Sequence, residues 1–539
     1  EEVEALLAEY APWARRAVEW KKARNSDLQA MQFPFPAYRP GQRAMAGEVY
    51  KVCRDGGQLL CQAPTGIGKS MSVLFPALKS MGNERVGPIF YLTARGTTRT
   101  AAENALAILR DTEPELHLRS VTLTAKDKIC LCETRECTPE ACPYANGYYA
   151  RIKGALWDVL DVPCLTAETL QEYAERHTVC PFELGLDSSL WSDVIIGDYN
   201  YLFDPVVHLV RFFESAGDYI FLVDEAHNLP GRAREMHSAA LTKTSFYEAK
   251  KLLGKGKSSL KNALTKVNDV FIEWRHRAEE ETAARDGRFG KTFFLKERSE
   301  EFDHLLNRLC EPLEAWLDDH REPDETHTAL LQLYFDVRAW LRVADTFDDH
   351  FVLQITASGS EVRAAQLCLD PSAFLADSFA LGRAAVLFSA TLAPASYYKD
   401  LCGVPEARAV TLRSPFPAGN QGLFCIGNVS TRYKDRDASL AIVEESLATM
   451  VRARCGNYLA FFPSYAYMEQ AYAQFKEHCP EINCIKQENA MDEQQKAAFL
   501  AQFVPGPSQP LLGFAVMGGV FGELSLIHIS EPTRQEAIS

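Results

Sequence analysis

The sequence predicts an α/β fold of at least two domains built on parallel sheets, and three observations support this prediction. At 539 residues the chain is too long for one ordinary hydrophobic core. Residues 57–110 alternate short apolar strands with helices, which is the alternation that builds a parallel sheet. From about residue 411 a further unit of this kind begins, with the apolar strand NYLAFFPS followed by a long helix near 466–477.

Composition narrows the class of protein. Hydrophobic residues make up 47% and charged residues 24% of the chain, and no apolar run approaches the roughly 20 residues that span a bilayer. A membrane role is therefore not expected. The formal net charge is −15, so any contact with nucleic acid must come from a local basic or amide-lined groove. The 15 cysteines lack the dense spacing of a secreted disulfide scaffold and no signal peptide is visible, which predicts a cytoplasmic location.

Taken in order, the elements divide the chain into segments. A helical pattern over residues 1–30 ends at the proline-rich FPFPAYRPGQ. The strand and helix alternation then fails between 118 and 190, where cysteines cluster, and again from about 240 to 350, where the chain is charged and helical. Strand-like FVLQITA, RAAQLCLD and AAVLFSAT are expected to lead back to the first sheet. The predicted segments are 1–30 (lead-in), 31–117, 191–240 and 376–410 (first domain), 118–190 and 241–375 (insertions), 411–523 (second domain) and 524–539 (tail).

A candidate phosphate site follows the first apolar strand. APTGIGKS, residues 63–70, opens a helix after that strand, which is the context in which a P-loop match is specific. Its glycines let the backbone curl so that N–H groups face phosphate oxygens at a helix N-terminus. Lys69 is expected to reach the β and γ phosphates, and Ser70 to place its hydroxyl on Mg²⁺. The predicted nucleotide-binding residues of this loop are Thr65, Gly66, Gly68, Lys69 and Ser70.

A second candidate element is VDEAHN, where a buried strand ends in two carboxylates. Asp224 is expected to hold Mg²⁺ through water, and Glu225 to orient and deprotonate the attacking water in phosphoryl transfer. His227 is a candidate for linking hydrolysis to nucleic acid. FSATL places the hydroxyls of Ser389 and Thr391 after another apolar strand, a signal with no meaning when taken alone.

Gln42 precedes the first strand of the predicted sheet. Its side-chain amide is a candidate for recognising an adenine edge. The alternative is an ordinary surface glutamine.

A cysteine cluster occupies the first insertion, in KDKICLCETRECTPEACPYANGYY and CPFELG. Four thiolates suffice for zinc or for an iron–sulfur cluster. The spacings are irregular for zinc, whose ligands usually come in C-x₂₋₄-C pairs. Incidental reduced cysteines remain an alternative. The sulfurs are Cys130, Cys132, Cys137, Cys142 and Cys180, with Cys132 as the expected spare.

With APTGIGKS, DEAH, SAT and the cysteine insertion in this order, the chain resembles the XPD/DinG family of iron–sulfur superfamily 2 helicases, over roughly residues 30–523. The similarity extends to YLTAR (91–95), GDYNYLFDP (197–205), SPFP (414–417) and AFFPSY (460–465). The resemblance implies two RecA-like motor domains, with an iron–sulfur domain and a helical arch inserted in the first. It also implies ATP, Mg²⁺ and 5′ to 3′ movement on single-stranded DNA, with forked duplex DNA as a further partner.

By the family pattern, the ligands of a [4Fe–4S] cluster fall on Cys130, Cys137, Cys142 and Cys180. The choice between Cys132 and Cys137 stays open. Contacts to single-stranded DNA, through phosphate gripping and base stacking, carry over to six motif residues, although the aromatic ones among them could equally belong to the core. These residues are Thr93, Arg95, Tyr199, Tyr201, Ser464 and Tyr465.

The family pattern breaks near the C-terminus. GFAVMGGVFGE (513–523) should continue with Gly-Ile-Asp, but the chain reads LSLIHISEPTRQEAIS, and the later arginine motif has no counterpart. An arginine finger contributes about 10³-fold or more to the rate in related NTPases. Because this motif is missing, we expect the segment to bind ATP but to hydrolyse it poorly. Because the first residue is Glu1, we expect the segment to be truncated at the N-terminal end as well.

Two alternatives remain at this stage. One is a nucleic-acid-stimulated ATPase that translocates without separating strands. The other is a zinc-stabilised binding module whose P-loop is only a regulatory switch. The sequence gives no protein partner.

Overall fold

The structure is a computed structural model that describes residues 2–521 apart from 84–85, 95, 255, 257, 285–290, 323, 415–416, 418, 420–421, 492 and 520. The predicted tail therefore lies outside the described residues. The helices are α1 Glu2–Ala30, α2 Gln42–Asp55, α3 Lys69–Met81, α4 Gly96–Thr112, α5 Lys126–Ile129, α6 Tyr148–Val159, α7 Ala167–His177, α8 Pro181–Ser189, α9 Asn200–Phe203, α10 Val210–Phe213, α11 Leu229–Met236, α12 Lys243–Leu252, α13 Ser259–Ala284, α14 Glu300–Asp319, α15 Glu325–Thr346, α16 Ser372–Ala380, α17 Ala395–Leu401, α18 Arg436–Ala453, α19 Tyr465–His478 and α20 Glu493–Ala501.

The strands form three sheets among the described residues. In chain order they are β1 Gly57–Gln62, β2 Ile89–Thr93, β3 Ser120–Thr122, β4 Cys164–Leu165, β5 Val194–Asp198, β6 Ile220–Asp224, β7 Ala239–Thr242, β8 Thr292–Leu295, β9 Phe351–Ser358, β10 Glu361–Cys368, β11 Ala384–Ser389, β12 Arg408–Thr411, β13 Asn457–Phe462, β14 Asn483–Lys486 and β15 Leu511–Val516.

The described chain forms two compact units. The first comprises the residues up to Ala63 together with Lys69–Arg413, and the second comprises Pro64–Gly68 together with the described residues from Ser414 onward. The first unit therefore extends slightly beyond the predicted boundary at residue 411. The reason is that Thr411 ends β12, which pairs with β1 of the first sheet.

The first unit is built on a parallel sheet with the strand order β12-β1-β11-β6-β2-β5-β3-β4. Three of its central strands, β2, β6 and β11, are buried along their whole length. This is expected for a sheet that is covered on both faces. The carboxyl ends of parallel strands meet at one edge, which is where ligands bind in open α/β sheets. The predicted motifs follow β1, β2, β5, β6 and β11 and therefore share that edge.

The prediction that the alternation fails across residues 118–190 is correct only in part. β3 pairs with β5, and β4 pairs with β3, both in parallel register, so this segment adds two strands to the edge of the first sheet. These strands are three and two residues long. Strands this short carry no apolar run, which is why the sequence pattern did not show them.

Residues 240–350, predicted to be charged and almost wholly helical, contain the helices α12–α15 but also the strand β8 and most of β7. Between α11 and α16, four strands form an antiparallel sheet in the order β7-β10-β9-β8, and α12–α15 pack on it around a shared apolar core. FVLQITA and RAAQLCLD belong to this sheet and not to the first sheet. Burial alternates along β9, which is the signature of a strand covered on one face only.

The second unit confirms the predicted strand and helix after residue 455. β13, β15 and β14 form a parallel sheet in that order. α18 and α19 cover one face through a cluster that includes Met468 and Phe475, both fully buried. Within the described part of the chain, no helix combines the length and the apolar character needed to cross a bilayer.

Candidate ATP and magnesium site

The predicted phosphate loop joins β1 to α3. Gly66 and Gly68 both have φ of 77°, the left-handed region that glycine enters at no steric cost. Lys69 is the first residue of α3, so its side chain starts where the helix presents unpaired N–H groups. The Lys69 ammonium Nζ lies 3.7 Å from Glu225 Oε1. The structure thus brings the lysine and the acidic strand end together, as the sequence predicted.

Asp224 ends β6 and is 5% exposed. Its Oδ1 accepts a hydrogen bond from the Glu225 backbone N–H at 2.8 Å, and its Oδ2 accepts one from the Tyr91 hydroxyl at 2.7 Å. The Tyr199 hydroxyl donates to the Asp224 carbonyl. The carboxylate plane and the backbone of this strand end are therefore both held in place.

The Glu225 carboxylate contacts two predicted site residues, Ser389 at the end of β11 and His227 after β6. Ser389 Oγ donates to Glu225 Oε2 at 2.9 Å, and His227 Nδ1 lies 2.7 Å from the same Oγ. His227 Nδ1 is also 3.4 Å from Glu225 Oε2. Ser389, at the end of β11, thus contacts both Glu225 and His227 of the DEAH motif directly.

The carboxylates differ in electrostatics because their surroundings differ. Burial, and then the neighbouring Glu225 charge, raise the pKa of Asp224 to about 7, against the opposing effects of Tyr91 and Lys69. Burial also tends to raise the pKa of Glu225, but the His227 hydrogen bond and the Lys69 charge bring that pKa below its ordinary value. Glu225 is therefore the more readily ionised of the two, as a residue that orients water requires.

Gln42 is not the surface residue of the alternative interpretation, because it is 3% exposed. Its Oε1 accepts a hydrogen bond from the Arg39 backbone N–H at 3.0 Å. This bond orients the amide at the start of α2. Adenine recognition by Gln42 stays a prediction.

All five cysteines of the predicted cluster line one cavity of about 520 Å³. Cys142 is buried and Cys137 is exposed, and Cys132 Sγ lies 3.8 Å from Cys142 Sγ. Burial, and then the neighbouring thiols, raise the pKa of Cys132 to about 11. As placed, no three potential ligand side chains among the described residues are close enough to enclose a metal ion. The donor chemistry and the space nevertheless fit a thiolate-held cluster.

The residues predicted to contact single-stranded DNA have mixed placements. Tyr199 is fully buried and Tyr201 is 8% exposed, so the structure assigns both rings to the core and not to a stacking surface. Thr93 is also fully buried. Its Oγ1 donates to the Gly197 carbonyl at 3.3 Å. Arg95 lies outside the described residues.

In the second unit, Ser464 caps α19 by accepting from the Tyr467 N–H. It also accepts a hydrogen bond from Arg436 Nη1 at 3.1 Å. The Tyr465 hydroxyl accepts one from Gln487 Nε2 at 2.6 Å. Both residues are thus ordered by neighbours of their own unit, and their contact with DNA stays a prediction.

Comparisons with known proteins agree with this geometry. The DEAD_2 family matches residues 113–246, and the helicase C-terminal domain family matches residues 447–523. The general transcription and DNA repair factor IIH helicase subunit XPD/RAD3 of Saccharomyces cerevisiae is 22% identical over 559 residues, which cover 82% of this chain and 70% of the yeast protein. Together these matches support an XPD/DinG-like family of superfamily 2 helicases for the chain. The prediction of an ATP-hydrolysing helicase enzyme is confirmed at the level of this family.

Other members of the helicase family match over a shorter length. The regulator of telomere elongation helicase 1 homolog of Drosophila melanogaster is 22% identical over 262 residues, which are 39% of this chain and 26% of that protein. This match thus spans about a quarter of the telomere helicase.

Two solved structures share the helicase fold. A structure titled XPD helicase has a TM-score of 0.53 at 17% identity and covers 90% of this chain and 81% of that one. The structure of S. tokodaii Xpd4 has a TM-score of 0.50 at 14% identity, covering 93% and 88%. These matches confirm the predicted α/β fold with RecA-like domains.

Within this candidate site, one residue was missed by sequence reasoning. Tyr91 lies in the YLTAR motif, but a tyrosine inside an apolar strand looks like a core residue. The structure shows it to be fully buried, with its hydroxyl 2.7 Å from Asp224 Oδ2 and 3.3 Å from Ser70 Oγ. Burial, and then the Asp224 charge, raise the pKa of Tyr91 well above its ordinary value, so the hydroxyl keeps its proton.

Proposed function

We propose that this protein is an ATP-driven DNA helicase that moves 5′ to 3′ along single-stranded DNA and opens forked duplexes, in DNA repair or replication. The observation that carries the proposal is the meeting of Lys69, Asp224 and Glu225 at one edge of a parallel sheet. The family assignment and the names of the XPD/RAD3 relatives, which include DNA repair, support it.

Each residue of the site has a defined role in the proposed reaction. Lys69 holds the β and γ phosphates of ATP, and Ser70 and Asp224 hold Mg²⁺. Bound Mg²⁺ supplies charge neutralisation for the transferring phosphoryl group. Glu225 orients and deprotonates the attacking water, because its carboxylate is the more readily ionised of the pair. His227 and Ser389 connect this carboxylate to the end of β11.

The cysteine cavity is the second part of the proposal. Cys130, Cys137, Cys142 and Cys180 would hold a [4Fe–4S] cluster, and the support is that their thiols line a single cavity. The donor set alone also suits zinc. Protein purified without oxygen should therefore be brown and contain iron and sulfide. A colourless protein loaded with zinc would instead favour the zinc-stabilised module.

ATP turnover and strand separation test the motor. We expect slow ATP hydrolysis, as the unmatched arginine motif predicts, and we expect single-stranded DNA to stimulate it. A fork with a free 5′ tail should be opened in preference to one with a 3′ tail. Lys69→Ala should reduce turnover to background, because it removes the positive charge that is proposed to hold the β and γ phosphates. Lys51→Ala is the matched control, since Lys51 is a surface lysine paired with Glu48.

The outcomes separate the candidate functions. Stimulated hydrolysis without strand separation would establish the translocase alternative. Turnover that survives Lys69→Ala would show that the assigned phosphate site is wrong.

A further inference from the structure

We propose that Tyr91 is a positioning residue that presets the magnesium-binding groups of the ATP site. The inference rests on the proposed function and adds a residue to it. The two side chains assigned to Mg²⁺, Ser70 and Asp224, are both hydrogen-bonded to the hydroxyl of Tyr91, at 3.3 Å and 2.7 Å respectively. One buried phenol therefore links the start of α3 to the end of β6.

The direction of the hydrogen bonds follows from counting protons. A tyrosine hydroxyl has one proton to donate and can also accept. The bond to the Asp224 carboxylate is the shorter one, and a bond to a charged acceptor is the stronger kind. Tyr91 therefore donates to Asp224. Its oxygen then accepts the hydroxyl proton of Ser70, which leaves the oxygen lone pairs of Ser70 free to turn toward a metal ion.

The carboxylate of Asp224 is fixed from both sides by this arrangement. The Glu225 N–H holds Oδ1 at 2.8 Å while Tyr91 holds Oδ2. Each carboxylate oxygen retains acceptor capacity, which can serve the water of a hydrated Mg²⁺. Because both metal-binding groups are oriented before the ion arrives, less ordering is needed when it binds.

The tyrosine itself has little freedom to move. Tyr91 is fully buried in the middle of β2, where its backbone pairs with Ile196 on one side and Leu222 on the other. Its ring meets the edge of the Phe388 ring at a centroid separation of 6.0 Å. Strand pairing and packing hold the ring, so removal of the hydroxyl leaves the surrounding sheet intact.

The test is the Mg²⁺ dependence of nucleotide binding by Tyr91→Phe in the full chain. Binding of a fluorescent ADP analogue is measured in EDTA and across a Mg²⁺ titration, together with thermal unfolding. The expected result is unchanged affinity in EDTA and an about tenfold weaker apparent affinity for Mg²⁺, the size of one lost charge-assisted hydrogen bond. Tyr219→Phe is the matched control, because its hydroxyl donates to the Phe212 carbonyl at 3.0 Å, away from the metal-binding groups.

Each outcome decides one question. A Mg²⁺ dependence equal to that of the unsubstituted protein would overturn the inference. An affinity that falls equally in EDTA and in Mg²⁺ would also overturn it, because Tyr91 would then act only on the fold. If the unsubstituted protein binds no nucleotide in either condition, the proposed ATP site itself is wrong.

Discussion

Glu225 adopts a left-handed backbone conformation, with φ of 48° and ψ of 44°. A non-glycine residue in this region costs about 1–3 kcal/mol and persists only where its surroundings enforce it. Here the conformation turns the chain directly after β6, so that the side chain reaches both Lys69 and Ser389. The strain is therefore coupled to the position of the carboxylate that is proposed to orient water.

Ser389 is the residue on which this position depends most directly. Removing its hydroxyl by Ser389→Ala takes away a hydrogen bond to Glu225 and the contact with His227. We expect kcat for ATP hydrolysis to fall by about tenfold, the effect of one hydrogen bond to a charged group. ATP affinity should change little, because the phosphate-binding residues are untouched. Steady-state kinetics and nucleotide binding measure both quantities.

Ser378→Ala is the control for this prediction, since the Ser378 hydroxyl donates to the Phe374 carbonyl on its own helix. An unchanged kcat in Ser389→Ala would show that Ser389 does not position Glu225. A loss of ATP binding would show a wider structural role.

The buried carboxylate of Asp193 links the helix α1 to the first sheet. Asp193, just before β5, accepts hydrogen bonds from Trp20 Nε1 at 3.1 Å and from Arg24 Nη1 at 2.7 Å. It also accepts one from the Arg119 backbone N–H at 2.9 Å. The Arg119 guanidinium lies 3.5 Å from the centre of the Trp20 ring. The helix that the sequence predicted as a lead-in is thus bound to the sheet.

We expect Asp193→Ala to lower the free energy of unfolding by about 3–5 kcal/mol, because it leaves the buried Arg24 charge without its partner. Limited proteolysis should then cleave within α1 before the sheet. Asp161→Ala is the control, because Asp161 pairs with Arg16 of α1 through a carboxylate that is exposed. Exposed ion pairs contribute about 0–1 kcal/mol. Equal stability of the two variants would contradict the role assigned to Asp193.

Gln366 is a buried polar residue of the antiparallel sheet. It is fully buried on β10, and neither atom of its amide has a hydrogen-bond partner among the described residues. A buried polar group without a partner costs about 1–3 kcal/mol. Gln366→Met keeps the length of the side chain, so we expect a higher thermal unfolding temperature.

Gln332→Met is the control for Gln366→Met. Gln332 lies on the exposed side of α15 and bonds to Asp336, so its replacement should not raise stability. A lower unfolding temperature in Gln366→Met would indicate that the amide is satisfied by internal water.

Sequence patterns predicted the elements that bear motifs and missed those that do not. The strands ending at Gln62, Asp224 and Ser389 were predicted because apolar runs precede polar motif residues. β3 and β4 escaped notice because two or three residues give no periodicity. β9 was recognised as a strand, but sheet membership depends on long-range pairing, which a local pattern does not contain. For the same reason Tyr91 was not recognised, since its partners are 21 and 133 positions away in the chain.

At the scale of the whole molecule, the cysteine cavity and the ATP site are built from different parts of the first unit. The cavity is lined by residues of α5, α6, α8 and α10 and of the loop between α5 and α6. The ATP site is formed by the middle of β2, the ends of β6 and β11 and the start of α3. Loss of a cluster ligand should therefore leave nucleotide binding intact.

We expect Cys137→Ser to lose bound iron while ADP binding in Mg²⁺ is retained. Cys132→Ser should keep its iron, because the family pattern assigns the ligand to Cys137. Cys455→Ser is the control, since it is an exposed cysteine of the other unit. Iron analysis and visible absorption spectra measure the outcome. Iron lost from Cys132→Ser but kept in Cys137→Ser would exchange the two assignments.

The strands at which the second insertion begins and ends its antiparallel sheet along the chain, β7 and β10, lie side by side. Ala239 pairs with Gln366, and Thr242 pairs with Arg363, so the two strands are about 5 Å apart. The chain between β7 and β10 therefore begins and ends at one pair of neighbouring strands. We therefore expect a change in the length of this insertion to leave unchanged the spacing of the strands that hold the proposed ATP site. The length of this insertion and the proposed chemistry at the first sheet could then vary independently.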